Sequence, residues 1–287
     1  MKIVNLIENT EGAAGCAFAH GLSFYIETKK HKLLVDLGPS GQTLDNASKL
    51  GIDLSQVDTM ILSHGHYDHS GGILPFTTLN ANAQILMQKT ATLDYYADDG
   101  ENAVGERFRY IGIDKKIPDL PQVRFVEGDV QIDEELELFT VKQKKTEIPF
   151  TNQRLLIRTA DGFARDAFDH EQYLVIRCEG RRILISGCAH NGILNILDAF
   201  SERYGGAPDM VISGFHLMKK TPYSEAQMEE IEETARKLLA YPTRFVTCHC
   251  TSEEAFAIMK EILGEQLWYV HSGEEIPCAL LGEKSEI

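Results

Sequence analysis

The chain has 287 residues, 43% of them hydrophobic, enough for one large domain or two small ones around a substantial core. Its 28 Lys and Arg against 43 Asp and Glu give a formal net charge of −15, which argues against a nucleic-acid partner, because phosphate backbones are held by clustered cations. No apolar run reaches the ~18–20 residues of a membrane span, and the start, interrupted by Asn5, Glu8 and Asn9, lacks the apolar stretch of a secretory signal.

Strands are predicted over 2–6, 22–28 and 32–36, the last two joined by the polar turn Lys29-Lys30-His31. A helix follows, with Ser40 as N-cap and Gly51 past its end. A short apolar strand over 59–63 runs straight into Ser63-His64-Gly65-His66-Tyr67-Asp68-His69. Gly71-Gly72, a short helix and a strand over 84–87 come next. Residues 91–166 are irregular, with short strands expected at 123–126 and 136–140. They are taken as an insertion or lid subdomain within a single domain spanning 1–287.

Order returns with strands over 173–178 and 182–186, the second ending in Ser186-Gly187-Cys188-Ala189-His190-Asn191-Gly192. A helix over 193–204 stops at Gly205-Gly206, and a strand over 209–213 leads to Gly214-Phe215-His216. Ser224 and Gln227 have capping-box spacing. A strand over 244–247 leads to Cys248-His249-Cys250, Thr251 and Glu254 suggest a second capping box, and that helix ends at Gly264. A last strand is expected over 268–270. None of the six cysteines forms a Cys-x-x-Cys pair, so reduced thiols and a cytoplasmic location are expected.

Four strands thus end in a histidine-bearing loop: His64/His66/His69, His190, His216 and His249. Sites in open sheets form at strand C-terminal edges, and scattered surface histidines would not share that position. Four potential ligands fall within His64–His69. Neutral imidazoles suit Zn, Fe, Mn or Co, and Asp68 adds a hard oxygen. The competing bland reading, a polar loop with incidental histidines, is disfavoured by the cost of burying unpaired polar groups.

The segment from Ser63 to Gly72 resembles the signature of the metallo-β-lactamase superfamily, and the preceding hairpin ending in Val35-Asp36-Leu37-Gly38 is like the first half of that fold. The resemblance implies an α/β fold, an αββα sandwich of two mixed sheets flanked by helices with the metals at one edge, here with an irregular insertion covering the site. The segments 186–193, 214–217 and 249–251 are similar to one branch, that of the archaeal dihydropterin-ribofuranosylaminobenzene 5′-phosphate synthases and their bacterial relatives. The implied ligand set is His64, His66, Asp68, His69, His190 and His249, holding one or two divalent ions, with Zn favoured and Mn or Fe as alternatives. His170 is the other candidate for the middle ligand. Asp36 is expected behind the ligands, holding a histidine by its second nitrogen. Cys188 falls where the superfamily has a bridging aspartate, so it is either a thiolate ligand or a small buried residue, and a mononuclear site stays open.

Asp68 and His216 are the candidate catalytic groups, one orienting the nucleophile and the other moving a proton or contacting substrate. Arg107, Arg109 and Tyr110 could close over the metals and bind phosphate, or could simply form an exposed charged loop. The expected activity is metal-dependent hydrolysis of a small phosphorylated or pterin-like ester. The alternatives are the branch's transfer of a pterin-methyl group with loss of pyrophosphate, and a di-iron redox protein. The expected partner is a small-molecule substrate, with neither nucleic acid nor membrane; the oligomeric state is left open.

Overall fold

The computed structural model describes residues 1–101 and 103–281. One sheet holds six strands in the order β1-β2-β3-β4-β5-β8: β1 Lys2–Ile7, β2 Ser23–Glu27, β3 Lys32–Val35, β4 Thr59–Ile61, β5 Gln84–Gln88 and β8 Val123–Val126. A second sheet runs β17-β16-β15-β14-β13-β10-β9: β9 Val130–Gln131, β10 Leu136–Phe139, β13 Tyr173–Cys178, β14 Arg181–Ile185, β15 Met210–Ile212, β16 Arg244–Thr247 and β17 Leu267–Tyr269. A third has four antiparallel strands in the order β12-β11-β6-β7: β6 Tyr95–Asp98, β7 Phe108–Tyr110, β11 Leu155–Thr159 and β12 Gly162–Arg165. Residues 91–166, expected as one irregular stretch, therefore feed all three sheets.

The helices are α1 Gln42–Lys49, α2 Tyr67–Ser70, α3 Ile73–Leu79, α4 Ile193–Tyr204, α5 Glu225–Leu239 and α6 Glu253–Leu263. Neighbouring residues of the main strands go to different layers, which is why the strands are apolar throughout. Ile26, Leu33, Val35 and Ile61 meet Leu174, Ile183, Ile185 and Ile212 between the two sheets. Tyr25, Leu34 and Met60 pack outward with Ala47, Ile73 and Phe76. Leu184, Val211 and Phe245 pack outward with Ile196, Phe200, Ile231 and Met259. The result is the four-layer αββα sandwich. The buried face of the third sheet brings Tyr95 against His170, ring centroids 4.1 Å apart.

Two local expectations are corrected. Helix α6 is capped by Ser252, whose side chain accepts from the Ala255 N–H, and not by Thr251. The Thr251 hydroxyl instead accepts from the Phe215 N–H, a tertiary bond that takes it out of the cap. Helix α1 has Gly41 at its N-cap, one residue beyond the expected Ser40, which reaches only the Gln42 N–H. The Ser224–Gln227 capping box on α5 is present with both of its hydrogen bonds.

Candidate metal centre

Strands β3, β4 and β5 are mutually parallel, as are β14, β15, β16 and β17, so their C-terminal ends share one edge of each sheet. Asp36 follows β3, Ser63 to His69 follow β4, Cys188 and His190 follow β14, His216 follows β15, and His249 follows β16. All but one of the non-glycine residues with left-handed backbone are in loops at this end: Asp36, Phe168, Ala189, His216, His249 and Ser252. Such conformations persist only where surrounding contacts enforce them, and they cluster at functional sites. Gly187 is required here, since a Cβ on it would meet Ser63 Oγ at 2.2 Å.

The donor atoms fall into overlapping groups. His64, His66 and His190 form one, and His64, His69 and Cys188 another. Cys188 also joins His249 and Cys250, while Asp68 joins His249 and His20. Asp68 Oδ2 lies 3.5 Å from His249 Nε2 and 3.7 Å from His69 Nε2. Cys188 Sγ is 3.1 Å from His69 Nε2, which puts the sulfur between the two halves of the centre.

The hydrogen bonds behind these atoms fix the tautomers. Ser63 O–H donates to Asp36 Oδ2 at 2.7 Å, so Ser63 Oγ accepts from His64 Nδ1–H at 2.8 Å. His69 Nδ1–H donates to Asp36 Oδ2 at 2.6 Å. His190 Nδ1–H donates to Asn152 Oδ1 at 2.8 Å, and His249 Nδ1–H to Asn9 Oδ1 at 2.7 Å. His216 Nδ1–H donates to Thr151 Oγ1 at 2.7 Å, since the Thr151 hydroxyl itself donates to the His216 carbonyl. In each of these five rings Nδ1 carries the proton and Nε2 keeps its lone pair. The Nε2 atoms of His64 and His190 stand 3.3 Å apart, lone pair to lone pair. That contact is repulsive by itself and close to the spacing of two ligands on a tetrahedral zinc ion.

His170 is built the other way round. Its Nδ1 accepts from the Gly65 N–H at 2.9 Å, and its Nε2–H donates to Asp166 Oδ2 at 3.0 Å, so its outer nitrogen faces Asp166 in a separate donor group with His66 and not the His64–His190 pair. Of the two middle candidates, His190 is brought to the centre with a free lone pair and His170 supports the loop that carries the ligands.

Burial, then the crowding of a further imidazole, His170 beside His66 and His66 beside His216, push both rings down to about 3. Burial, followed by neighbouring histidines, also holds His64 and His190 well below the usual imidazole range. These rings are neutral at pH 7, the form that binds metal. Burial works against the Asp68 carboxylate, but His69, His249 and His20 outweigh it and hold it well below the usual range. Burial, then Cys250, push the Cys188 thiol well up, so it keeps its proton unless a cation displaces it.

The charge balance also calls for a cation. Glu8, Asp36, Asp68, Asp166 and Glu171 are all buried around the centre, and among the described residues none has a Lys or Arg partner. Glu137, buried elsewhere, pairs with both Arg177 and Arg203. Two buried ring nitrogens at the centre, His66 Nε2 and His249 Nε2, have no hydrogen-bond partner. Uncompensated buried carboxylates and orphaned buried lone pairs are expensive, and divalent ions would satisfy both. The residues present therefore fit one or two divalent cations.

The proposed phosphate residues lie elsewhere. Arg107 pairs with Asp98 and Arg109 with Asp99, within the third sheet. The Tyr110 hydroxyl donates to the Ile113 carbonyl. Arg109 alone approaches the centre, beside Tyr67, the residue before Asp68. Sequence reasoning missed His20, Glu8, Asn9, Thr151, Asn152, Asp166 and Glu171. For Glu8 and Asn9 a signal existed: β1 runs parallel to β3, so its C-terminal end lies on the same edge. His20 sits in a loop with no pattern to mark it.

Comparisons with known proteins bear on the family and the fold. Residues 18–233 match the family model described as the metallo-beta-lactamase superfamily. The 7,8-dihydropterin-6-methyl-4-(beta-D-ribofuranosyl)-aminobenzene-5′-phosphate synthase of Methanocaldococcus jannaschii is 27% identical, covering 96% of each chain. An uncharacterized protein of the same organism is 30% identical over 69% of this chain and 73% of its own. The crystal structure of Tm1679, a metal-dependent hydrolase of the beta-lactamase superfamily, superposes with a TM-score of 0.79 at 29% identity, covering 96% of this chain and 98% of its own.

Proposed function

The chain belongs to the metallo-beta-lactamase superfamily, and from that premise we propose that it is a zinc-dependent hydrolase of a small phosphorylated or pterin-like ester. The observation that carries the proposal is the set of Nε2 lone pairs turned into one buried centre of overlapping donor groups, each fixed by a hydrogen bond to the opposite ring nitrogen. His64, His66 and His190 would hold one ion; Asp68, His69 and His249 a second; Cys188 lies between them. Bound zinc supplies a water of lowered pKa at neutral pH and polarises a carbonyl or phosphoryl oxygen.

The chain's own groups do the rest. Asp68, ionised and open to the second half of the centre, can orient an attacking water by accepting its hydrogen bond. His216 keeps a free Nε2 and lies against His190, ring centroids 4.1 Å apart and planes tilted by 49°, so it can take a proton at that atom and return it to a leaving group. A cavity of about 310 Å³ adjoins the centre through Asn152 and Asp166. It has apolar walls in Ile148, Pro149 and Phe150, with Arg165 set against the carboxylates of Glu147 and Asp166, a mixed lining that can take a small, partly apolar molecule.

The likeness to the archaeal synthase over nearly its whole length favours a second reading, transfer of a pterin-methyl group to an aromatic acceptor with release of pyrophosphate. The test is elemental analysis of protein purified without added metal, then a screen of phosphoesters and pterin esters with pyrophosphate monitored, with and without an aminobenzene acceptor. Metal-dependent release of alcohol or phosphate that His66→Ala abolishes supports hydrolysis. Acceptor-dependent pyrophosphate supports the synthase. Full activity of a metal-free His66→Ala chain overturns both.

A further inference from the structure

Two buried carboxylates at the centre do not face the ligand atoms at all. Glu171 Oε1 accepts the backbone N–H of His190 at 2.7 Å. Its Oε2 accepts the Asn191 backbone N–H at 2.9 Å, the Asn191 side-chain amide at 2.9 Å and the Tyr173 O–H at 2.6 Å. Glu8 repeats the pattern on the other side. Its Oε2 accepts the backbone N–H of His249 at 2.9 Å and the Tyr269 O–H at 3.2 Å, while its Oε1 accepts the Thr10 N–H at 2.6 Å and the Thr10 hydroxyl. Neither carboxylate has a cationic partner among the ion pairs of the described residues, and both are essentially inaccessible, 0% for Glu8 and 1% for Glu171.

The two histidines so held are the two candidate ligands that arrive from the second sheet, one in each half of the centre. Both follow tight left-handed backbone, at Ala189 (φ 53°) and at His249 itself (φ 51°). A left-handed turn turns its N–H groups inward, and a buried carboxylate satisfies them more strongly than a neutral acceptor would.

We infer that Glu8 and Glu171 are positioning residues, each fixing the backbone of one ligand histidine, so that the affinity of each half of the metal centre is set by its own carboxylate. The inference rests on the metal-binding reading above. The side-chain clamps, Asn152 on His190 and Asn9 on His249, set only the ring; the carboxylates set where the ring starts from. Both oxygens of each carboxylate accept a backbone N–H, so glutamine cannot substitute: in either orientation its amide N–H₂ meets a backbone N–H donor.

The test uses the full chain and cobalt(II). Chelator competition on the wild type should resolve two binding steps, and His190→Ala and His249→Ala assign each step to its half. Glu171→Gln should then weaken the His190 step alone by about 10–100-fold, and Glu8→Gln the His249 step alone, the range seen when a ligand loses its supporting group. In a His190→Ala background Glu171→Gln should add nothing to that step. His31→Ala, in the β2–β3 turn at the opposite end of the sandwich, should leave both steps at wild-type affinity. Equal weakening of both steps by either variant, or a lowered melting temperature with unchanged affinities, overturns the inference. A wild type that binds no cobalt overturns the metal reading itself, a separate result. Hydrogen exchange on the wild type needs no variant: the His190 and His249 amides, outside any strand, should be protected to nearly the level of the sheet core, and fast exchange overturns the assignment.

Discussion

Histidines at opposite ends of the same sandwich meet opposite fates. His31, in the turn between β2 and β3, has both ring nitrogens taken, Nδ1 by Asp58 at 2.9 Å and Nε2 by Asp133 at 2.7 Å. Burial opposes its charge, but hydrogen bonds to Asp133 and Asp58 prevail and raise its pKa. At the other end, five rings have Nδ1 held by a hydrogen bond and Nε2 turned to the other donor atoms of the centre, and burial keeps His64, His190 and His216 neutral. The difference teaches what makes a histidine a ligand here: one hydrogen bond to fix the ring, a second nitrogen facing other donor atoms, and, for His64, His66 and His190, enough burial to keep the proton off; at His69 burial is outweighed by Asp36 and Asp68, which raise its pKa.

The largest test of this contrast is His64→Ala. Its Nε2 belongs to both the His190 and the Cys188 donor groups, so its loss should empty the centre and abolish metal-dependent turnover, while circular dichroism reports a folded chain. Elemental analysis checks it; a variant that retains full metal content breaks the comparison. Asp36→Asn comes next. Asp36 Oδ2 accepts from both His69 and the Ser63 hydroxyl while Oδ1 accepts the Ser63 backbone N–H, so an amide in either orientation would set its N–H₂ against a donor. Metal affinity should fall by about 10–100-fold with the ligands all present.

Much of this centre was legible because local sequence and global geometry agree there. The His64–His69 cluster follows an apolar strand directly, and parallel strands guarantee that His190, His216 and His249 arrive at the same edge. What could not be read depends on distant pairing. The third sheet joins β6 to β11, 60 residues away in sequence, through three-residue register contacts, and β7 is too short and too exposed to show alternation. Thr251 has a capping residue's chemistry, but Phe215 claims its hydroxyl. His170 and His190 cannot be separated by spacing, because only the partners of each nitrogen decide which keeps a lone pair.

A smaller effect separates the two ends by pH. In the metal-free protein, His66 and His216 are held down to about 3 against an ordinary value of 6.5. Between those values the unfolded chain binds protons that the folded chain does not, so stability falls as pH drops below 6.5. Urea melts of the apoprotein from pH 7 to pH 5 should show a falling midpoint, and zinc should steepen the fall, since protons and metal compete for the same nitrogens. A flat profile would mean that these rings are charged in the folded state.

The smallest effect should have the opposite sign. Because the pKa of His31 is raised in the folded protein, its contribution is fully present below the ordinary imidazole value and is lost as pH rises through the raised one. The ring is 18% exposed, its partners Asp58 and Asp133 more so, and solvent screening reduces what the two ion pairs contribute. His31→Ala should therefore cost about 1 kcal/mol at pH 6 and less at pH 8. It should leave metal content unchanged, because Asp133 joins the β9–β10 turn to the β2–β3 turn at the edge away from every ligand. A His31→Ala cost that grew with pH, or that carried metal loss with it, would show that the two ends are coupled through the sheets and that saturation of both nitrogens is not what separates a structural histidine from a ligand in this fold.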